Sequence, residues 1–128
     1  MKVLIVEDHP DMRDLLGLIV ERLGYVPVLA SQGEEGVEKA AVEKPKLILL
    51  DMMMPIMDGQ EVARRLRANS KTKEIPILAI TALFRSPDLN ACLLAGCNRY
   101  IVKPFSVLDL QAKIRELLAD TAIEGPEA

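Results

Sequence analysis

Hydrophobic residues along the chain form five short apolar runs, and these runs alternate with longer segments that mix apolar and polar residues. The runs are Val3–Val6, Tyr25–Leu29, Leu47–Leu50, Ile75–Ile80 and Tyr100–Val102. Short continuous apolar runs are typical of strands that are covered on both faces. Their regular alternation with helical segments predicts a parallel sheet with crossover helices. The predicted fold class is therefore α/β, with five strands and five helices.

Two of these runs have features of edge strands. Proline cannot donate a hydrogen bond to a neighbouring strand, so Pro27 predicts that the second run lies at an edge of the sheet. The fifth run is short and bounded by polar residues, which favours the opposite edge. A flavodoxin-like, doubly wound sheet with the strand order 2-1-3-4-5 satisfies both conditions.

Three of the intervening segments begin with recognisable helix-start signals. Two have the spacing of a capping box, and one has a capping serine followed by proline at the first helical position. The predicted start residues are Ser31 with Glu34 for the second helix, Ser106 with Asp109 for the fifth, and Ser86 with Pro87 for the fourth.

Length and composition suit one domain with a sizeable core. The chain has 128 residues, half of them hydrophobic, and aromatic residues make up 3%. The core must therefore consist mainly of aliphatic side chains and methionine. We expect the domain to span residues 1–119 and residues 120–128 to form a flexible C-terminal tail, because the tail has no apolar periodicity.

Charge and composition argue against several kinds of partner. The formal net charge is −3, whereas a nucleic-acid binder usually carries a basic face. No apolar segment is long enough to cross a membrane, and the N-terminal one is too short for a signal peptide. Cys92 and Cys97 lack the spacing of a metal site, so we expect two buried thiols. We therefore expect a cytoplasmic protein that contacts neither nucleic acid directly nor a membrane.

Chemically reactive residues follow the apolar runs. Glu7 and Asp8 come after the first run, Asp51 after the third, Thr81 after the fourth and Lys103 after the fifth. The carboxyl ends of parallel strands meet at one edge of a sheet, which is where such sheets bind ligands. We therefore expect three carboxylates, one hydroxyl and one ammonium group to converge there.

This combination of groups suits phosphoryl transfer. Three neighbouring carboxylates repel one another, and Mg²⁺, which prefers oxygen ligands, would relieve that repulsion. A carboxylate beside the ion can act as a nucleophile. Lys103 and Thr81 would supply a charge and a hydrogen bond to the phosphoryl oxygens.

Four motifs resemble those of a known family. They are Glu7-Asp8, then Asp51-x-x-Met54-Pro55-x-Met57-Asp58-Gly59, then Thr81-Ala82, and finally Lys103-Pro104-Phe105. In this order, at the ends of the expected strands, they resemble the receiver domain of bacterial two-component response regulators. The chain looks like a stand-alone receiver of the chemotaxis or cell-cycle type.

The resemblance implies a role for each acidic residue and for one main-chain group. Asp51 would be the phosphoacceptor, and Asp8 and Asp51 would bind Mg²⁺ directly. Glu7 would contact metal-bound water, and Met53 would contribute its backbone carbonyl. The expected phosphoryl donor is a sensor histidine kinase or a histidine phosphotransfer protein. The domain would catalyse its own phosphorylation and slow dephosphorylation, as a signalling domain rather than an enzyme.

The resemblance also implies a switch. Lys103 would contact the phosphoryl group, and the Lys103–Pro104 peptide bond would be cis. Thr81 would move to hydrogen-bond a phosphoryl oxygen, and Tyr100 would rotate inward in response. The surface of the fourth helix, fifth strand and fifth helix would then change its preference for a downstream protein target.

Three alternatives stay open. A phosphatase with an aspartyl-phosphate intermediate would use the same nucleophile, although such enzymes usually carry Asp-x-Asp after the first strand. A flavin-binding flavodoxin shares the fold, but Glu7-Asp8-His9-Pro10 would repel the flavin phosphate. An inert receiver-like interaction domain would leave the convergent charges unexplained.

Several further residues have simple interpretations. We interpret His9 as a loop residue at a helix start, because Mg²⁺ disfavours imidazole. Arg64, Arg65 and Arg67 are expected to form a solvated helix face, with contact to an acidic partner as the alternative. The methionines after Asp51 are expected to pack in the core and loop rather than to bind copper.

The side chains beside the site suggest how long a phosphoryl group would last. Met53 and Leu83 flank the predicted phosphoacceptor and its hydroxyl partner. Neither side chain can orient an attacking water molecule. We therefore hypothesise slow self-dephosphorylation.

Overall fold

The computed structural model describes residues 1–123, with side chains described through residue 119. Five strands form one sheet: β1 (Lys2–Val6), β2 (Val26–Ala30), β3 (Leu47–Asp51), β4 (Ile77–Thr81) and β5 (Arg99–Val102). Five helices connect or follow them: α1 (Pro10–Arg22), α2 (Gly33–Glu43), α3 (Gly59–Ala68), α4 (Ser86–Ala95) and α5 (Val107–Ile123). All strand pairs are parallel, and their order is β2-β1-β3-β4-β5. The predicted fold class and strand order are confirmed.

Alternation along the central strands divides the core between the two faces of the sheet. In β1, Leu4 and Val6 face a cluster with α2, α3 and α4, whereas Val3 and Ile5 face a cluster with α1 and α5. All four side chains are almost completely buried. This double coverage explains why the central strands read as continuous apolar runs. It also fixes the register, because a one-residue slip would exchange the two faces.

Two of the predicted helix starts are shifted by one residue. In α2 the N-cap is Gln32, and Ser31 donates both its main-chain N–H and its hydroxyl to Glu35 Oε1, with Glu35 in place of the predicted Glu34. In α4 the N-cap is Arg85, so Ser86 is already helical. The predicted cap of α5 is confirmed, because the Ser106 hydroxyl accepts from the Asp109 N–H at 3.0 Å.

The expected arginine face is only partly correct. Arg64 and Arg65 are exposed and pair with Glu61. Arg67 is half-buried, and its guanidinium donates to main-chain carbonyls and to the Asn98 side chain. Arg67 was wrongly assigned to a solvated face because sequence spacing does not reveal the loops that turn back over the end of α3.

The described helices and cysteines bear on three further expectations. Helix α5 extends to Ile123, into the segment predicted to begin a tail at residue 120, and residues 124–128 lie outside the described part. No helix within residues 1–123 combines the length and apolar content needed to span a bilayer. Cys92 and Cys97 are both buried free thiols, as expected. Burial raises the pKa of Cys97 to about 12.

Candidate functional site

The carboxyl edge of the sheet gathers the reactive residues from four strands. Asp51 and Thr81 are the last residues of β3 and β4, so each strand extends one residue beyond the end of its apolar run. Glu7 and Lys103 follow β1 and β5 directly. The strand pairing holds these ends side by side, because Asp51 lies opposite Ile80 and Thr81 opposite Val102. Parallel register therefore brings together groups that are distant in sequence.

Four side chains form a compact cluster, here called the acidic pocket: Glu7, Asp8, His9 and Asp51. Each offers one nitrogen or oxygen atom, and these atoms all lie within 4.8 Å of one another. The Glu7 side chain is fully buried and that of Asp51 is 3% exposed, whereas His9 is open to solvent. Buried carboxylates this close repel one another unless a cation is present.

The cationic side chain of Lys103 reaches this pocket. The Lys103 ammonium lies 3.7 Å from Glu7 Oε1 and 3.8 Å from Asp51 Oδ1. These distances bring favourable charge interactions but are too long for direct hydrogen bonds. Lys103 therefore offsets part of the negative charge and leaves the carboxylate oxygens available to another partner.

The hydrogen bonds within the pocket leave two oxygen atoms unsatisfied. Asp51 Oδ1 accepts from the Met53 N–H at 3.1 Å, and Glu7 Oε2 accepts from the His9 N–H at 3.0 Å. Glu7 Oε1 and Asp8 Oδ1 are buried atoms with no hydrogen-bond partner among the described residues. A buried unsatisfied carboxylate oxygen is costly and calls for a physical reason.

The electrostatics of Asp51 follow from this environment. Burial is the main reason that the pKa of Asp51 is raised to about 7, and the charge of Glu7 contributes to the rise. The Met53 N–H and the Lys103 charge lower the pKa in opposition, but they do not cancel the effect of burial. The three carboxylates of the pocket and their two unsatisfied oxygens fit a hard divalent cation such as Mg²⁺.

Thr81 and Tyr100 have distinct environments. Thr81 is 1% exposed, and its hydroxyl accepts from the Leu83 N–H at 3.0 Å. Tyr100 is half-buried on β5 and packs against the core cluster that includes α2, α3 and α4. Directly after β5, the Lys103–Pro104 peptide bond is cis.

A cavity of about 470 Å³ adjoins Thr81 on the side of α3 and α4. Its lining includes Met53, Leu83 and Cys92. Met53 is half exposed and contributes no polar side-chain atom to this opening. Met52 and Met54 are buried in the core, in line with the packing role expected for them.

Sequence reasoning missed two residues that shape the site. Arg13, in the first turn of α1, donates to the main-chain carbonyls of Glu7 at 3.0 Å and Asp8 at 3.5 Å. It therefore holds the loop that carries both acids. The side chain of Asp58 caps α3 by accepting from the Glu61 N–H. The aspartate before a helical segment was a readable signal for this cap, whereas nothing in the sequence separates Arg13 from a solvated arginine.

Comparison with known sequences supports one family. The Response regulator receiver domain family matches residues 3–115. The alkaline phosphatase synthesis transcriptional regulatory protein PhoP of Bacillus subtilis (strain 168) is 39% identical over 127 residues, which cover 99% of this chain and 52% of the relative. The chain thus spans about half the length of this relative.

Solved structures agree with the sequence comparison. The chemotaxis protein CheY4 of Vibrio cholerae superposes with a TM-score of 0.87 at 29% identity, covering 91% of this chain and 98% of that chain. The receiver domain of the sensor histidine kinase PA1611 of Pseudomonas aeruginosa PAO1, with a magnesium ion coordinated in its active site cleft, has a TM-score of 0.85 at 32% identity and covers 92% and 97%. Together with the family match, these similarities confirm the predicted resemblance: the chain belongs to the response regulator receiver domain family, a family of signalling domains in two-component systems.

Proposed function

We propose that Asp51 accepts a phosphoryl group from a phosphohistidine on a sensor kinase or a phosphotransfer protein. One Asp51 carboxylate oxygen forms a bond to phosphorus while the phosphorus–nitrogen bond breaks, and the released imidazole takes up a proton. The observation that carries this proposal is the buried carboxylate of Asp51 beside the Lys103 ammonium and two unsatisfied acidic oxygens. In this reaction Lys103 would hold a phosphoryl oxygen by charge.

The acidic pocket would hold Mg²⁺ during this reaction. Its ligands would be Asp8, Asp51 and the main-chain carbonyl of Met53, with Glu7 contacting metal-bound water. Bound Mg²⁺ supplies positive charge that stabilises the phosphoryl oxygens. The unsatisfied oxygens of Glu7 and Asp8 support this assignment, because a cation satisfies acceptors that no protein donor reaches.

Phosphorylation would then be read out through Thr81. Its hydroxyl now accepts from the Leu83 N–H, and we propose that it turns to donate to a phosphoryl oxygen. Tyr100 would rotate inward as the loop between β4 and α4 follows. The resulting change would alter the face formed by α4, β5 and α5.

That face has the chemistry of a protein-binding surface. Leu94 on α4 and Leu108 on α5 are 88% and 78% exposed. Large exposed apolar side chains of this kind support contact with a downstream protein target. The buried free thiols of Cys92 and Cys97 support a reducing, cytoplasmic location.

The competing functions receive less support. A phosphatase would be recognised by turnover of added phosphoesters. An inert interaction domain would leave the buried charges of the acidic pocket unexplained. A flavin-binding role is disfavoured because the acidic residues Glu7 and Asp8 follow β1, and their negative charges would repel a flavin phosphate.

Acetyl phosphate with Mg²⁺, followed by intact mass measurement, tests the proposal. We expect one phosphoryl adduct on the parent and none on Asp51→Asn. The matched control is Asp58→Asn, because Asp58 lies near the site but caps α3, and asparagine also caps helices well. This control should be labelled like the parent. No adduct on the parent, or an equal adduct on Asp51→Asn, would refute the proposal.

A further inference from the structure

His9 is the one member of the acidic pocket that the proposed function does not use. Its Nδ1 atom lies 3.4 Å from Glu7 Oε2 and 3.5 Å from Asp8 Oδ1. His9 is the N-cap of α1, yet its side chain makes no capping hydrogen bond. The imidazole therefore faces two carboxylates without a role in holding the helix.

The Glu7 carboxylate lies between two different groups. Its Oε1 atom is 3.7 Å from the Lys103 ammonium, whereas its Oε2 atom is near the imidazole of His9. Glu7 Oε1 and Asp8 Oδ1 are both buried, and no side chain or main-chain group in the described part of the chain forms a hydrogen bond with either. Glu7 is completely buried, so these unsatisfied oxygens point to a ligand in the pocket independently of the imidazole.

The spacing of these atoms matches a particular coordination geometry. Two ligands of a tetrahedral Zn²⁺ ion, each about 2.0–2.1 Å from the metal, lie about 3.3 Å apart. The separations of His9 Nδ1 from its two carboxylate neighbours, 3.4 and 3.5 Å, are close to this value. Octahedral Mg²⁺ brings neighbouring ligands closer, to about 2.9 Å, and it disfavours nitrogen.

We propose that the acidic pocket has two modes of cation binding: Mg²⁺ through oxygen atoms alone, and Zn²⁺ through His9 Nδ1 together with Glu7 and Asp8. One imidazole and two carboxylates are a ligand set that zinc accepts, with a fourth position open to water. The inference rests on the same pocket as the proposed function, but it does not require that Asp51 be phosphorylated. Zinc and magnesium would compete, because both modes use the oxygens of Asp8.

The single histidine of the chain makes a direct test practical. Imidazole ¹⁵N spectra of the untagged protein report on His9 alone, so no other side chain can produce the signal. We expect added Zn²⁺ to shift the Nδ1 resonance and added Mg²⁺ to leave it in place. A Zn²⁺-insensitive Nδ1 resonance would overturn the inference.

Variants separate a built site from binding to an exposed imidazole. By calorimetry, His9→Gln should weaken Zn²⁺ binding by at least about tenfold and leave Mg²⁺ affinity unchanged. Asp8→Asn should weaken the binding of both ions. The inference fails if Asp8→Asn keeps the parent affinity for Zn²⁺, or if His9→Gln lowers the affinity for Mg²⁺ as well.

The outcome is distinguishable from failure of the proposed function. Loss of acetyl phosphate labelling with an intact zinc-induced shift would remove the phosphorylation proposal and keep this one. Normal labelling with no shift would do the reverse. Labelling of His9→Gln at the parent level in Mg²⁺ is expected in either case, because the magnesium mode does not use the imidazole.

Discussion

Charged side chains are at least partly buried at both ends of the sheet, but the two ends differ in how completely hydrogen bonds satisfy these side chains. At the amino end, the Arg67 guanidinium donates to the carbonyls of Gly96, Lys73 and Ile75 at 2.8–3.0 Å and to Asn98 Oδ1 at 2.8 Å. The loop before β4 and the turn before β5 are thereby tied to the end of α3. The half-buried guanidinium of Arg67 is therefore satisfied by hydrogen bonds that stabilise the fold.

At the carboxyl end, buried carboxylates are left incompletely satisfied. Glu7 is completely buried, yet within the part of the chain that the structure describes, neither its Oε1 atom nor Asp8 Oδ1 has a hydrogen-bond partner. Burial raises the pKa of Asp51 to about 7, which means that the folded state destabilises the ionised carboxylate. The comparison teaches that burial alone does not identify a functional charge. A functional charge is identified instead by buried polar atoms for which the protein itself supplies no hydrogen-bond partner.

The largest expected effect is the loss of stability when Arg67, at the amino end of the sheet, is replaced. Arg67→Met removes a donor to several main-chain carbonyls and should lower the free energy of unfolding by about 3 kcal/mol. The matched control is Arg64→Met, on the exposed face of the same helix, which should change it by less than about 0.5 kcal/mol. Urea denaturation of both variants measures the difference. Equal effects would break the distinction between the two arginines.

The next effect concerns the carboxyl end of the sheet, where replacing a buried charged residue, Asp51, should raise the free energy of unfolding. Between pH 3.8 and about 7, folded Asp51 holds a proton that the unfolded chain has lost, so Asp51 makes the parent less stable as pH rises. Asp51→Asn removes this contribution. Its advantage over the parent should grow across that window and level off above pH 7. Urea denaturation with chelator present measures it, and a variant less stable than the parent at pH 8 would contradict the account.

A third effect concerns the apolar flank of the site. Met53 lines the cavity beside Thr81 and presents no polar side-chain atom. Met53→Asn should speed loss of the phosphoryl group by about tenfold, or 1.4 kcal/mol of barrier, because an amide can orient water. Decay of the phosphorylated mass measures this. Ile56→Asn, at a fully exposed loop position, is the control and should decay like the parent.

The smallest effect involves a carboxylate at the same end that is fully satisfied. Hydrogen bonds from Ser31, and then Lys39, lower the pKa of Glu35 to about 2. Glu35 therefore stabilises the fold above pH 4.5, and this contribution is lost as pH falls toward 2. Glu35 is about a third exposed, so Glu35→Gln should cost less than about 1 kcal/mol at pH 7. Thermal unfolding at pH 7 and pH 2 checks it, with Glu38→Gln as the control; a cost that persists at pH 2 would disagree.

The fold and the members of the site could be predicted because both depend on apolar runs. Each run predicts a strand, and the residue that follows the run therefore lies at the carboxyl edge of the sheet. Pro27 identified an edge strand for a reason that is local to one peptide group. Thus Asp51, Thr81 and Lys103 could be brought together without coordinates.

What could not be predicted depends on contacts between distant segments or on single dihedral angles. Ser31 pairs with Glu35 because Gln32, in extended conformation, is the N-cap of α2. Arg67 meets carbonyls contributed by loops far along the chain. The proximity of His9 to the carboxylates likewise depends on how the loop after β1 turns, which composition and spacing do not reveal.

Cation-dependent stability tests the central claim most directly, namely that the acidic pocket is left unsatisfied for a divalent ion. A ligand that binds only the folded state stabilises it in proportion to the logarithm of its concentration. We predict that the free energy of unfolding of the parent rises with Mg²⁺ concentration and that this rise disappears in Asp8→Asn. A parent whose stability is indifferent to Mg²⁺, or an Asp8→Asn variant that gains as much as the parent, would contradict the account.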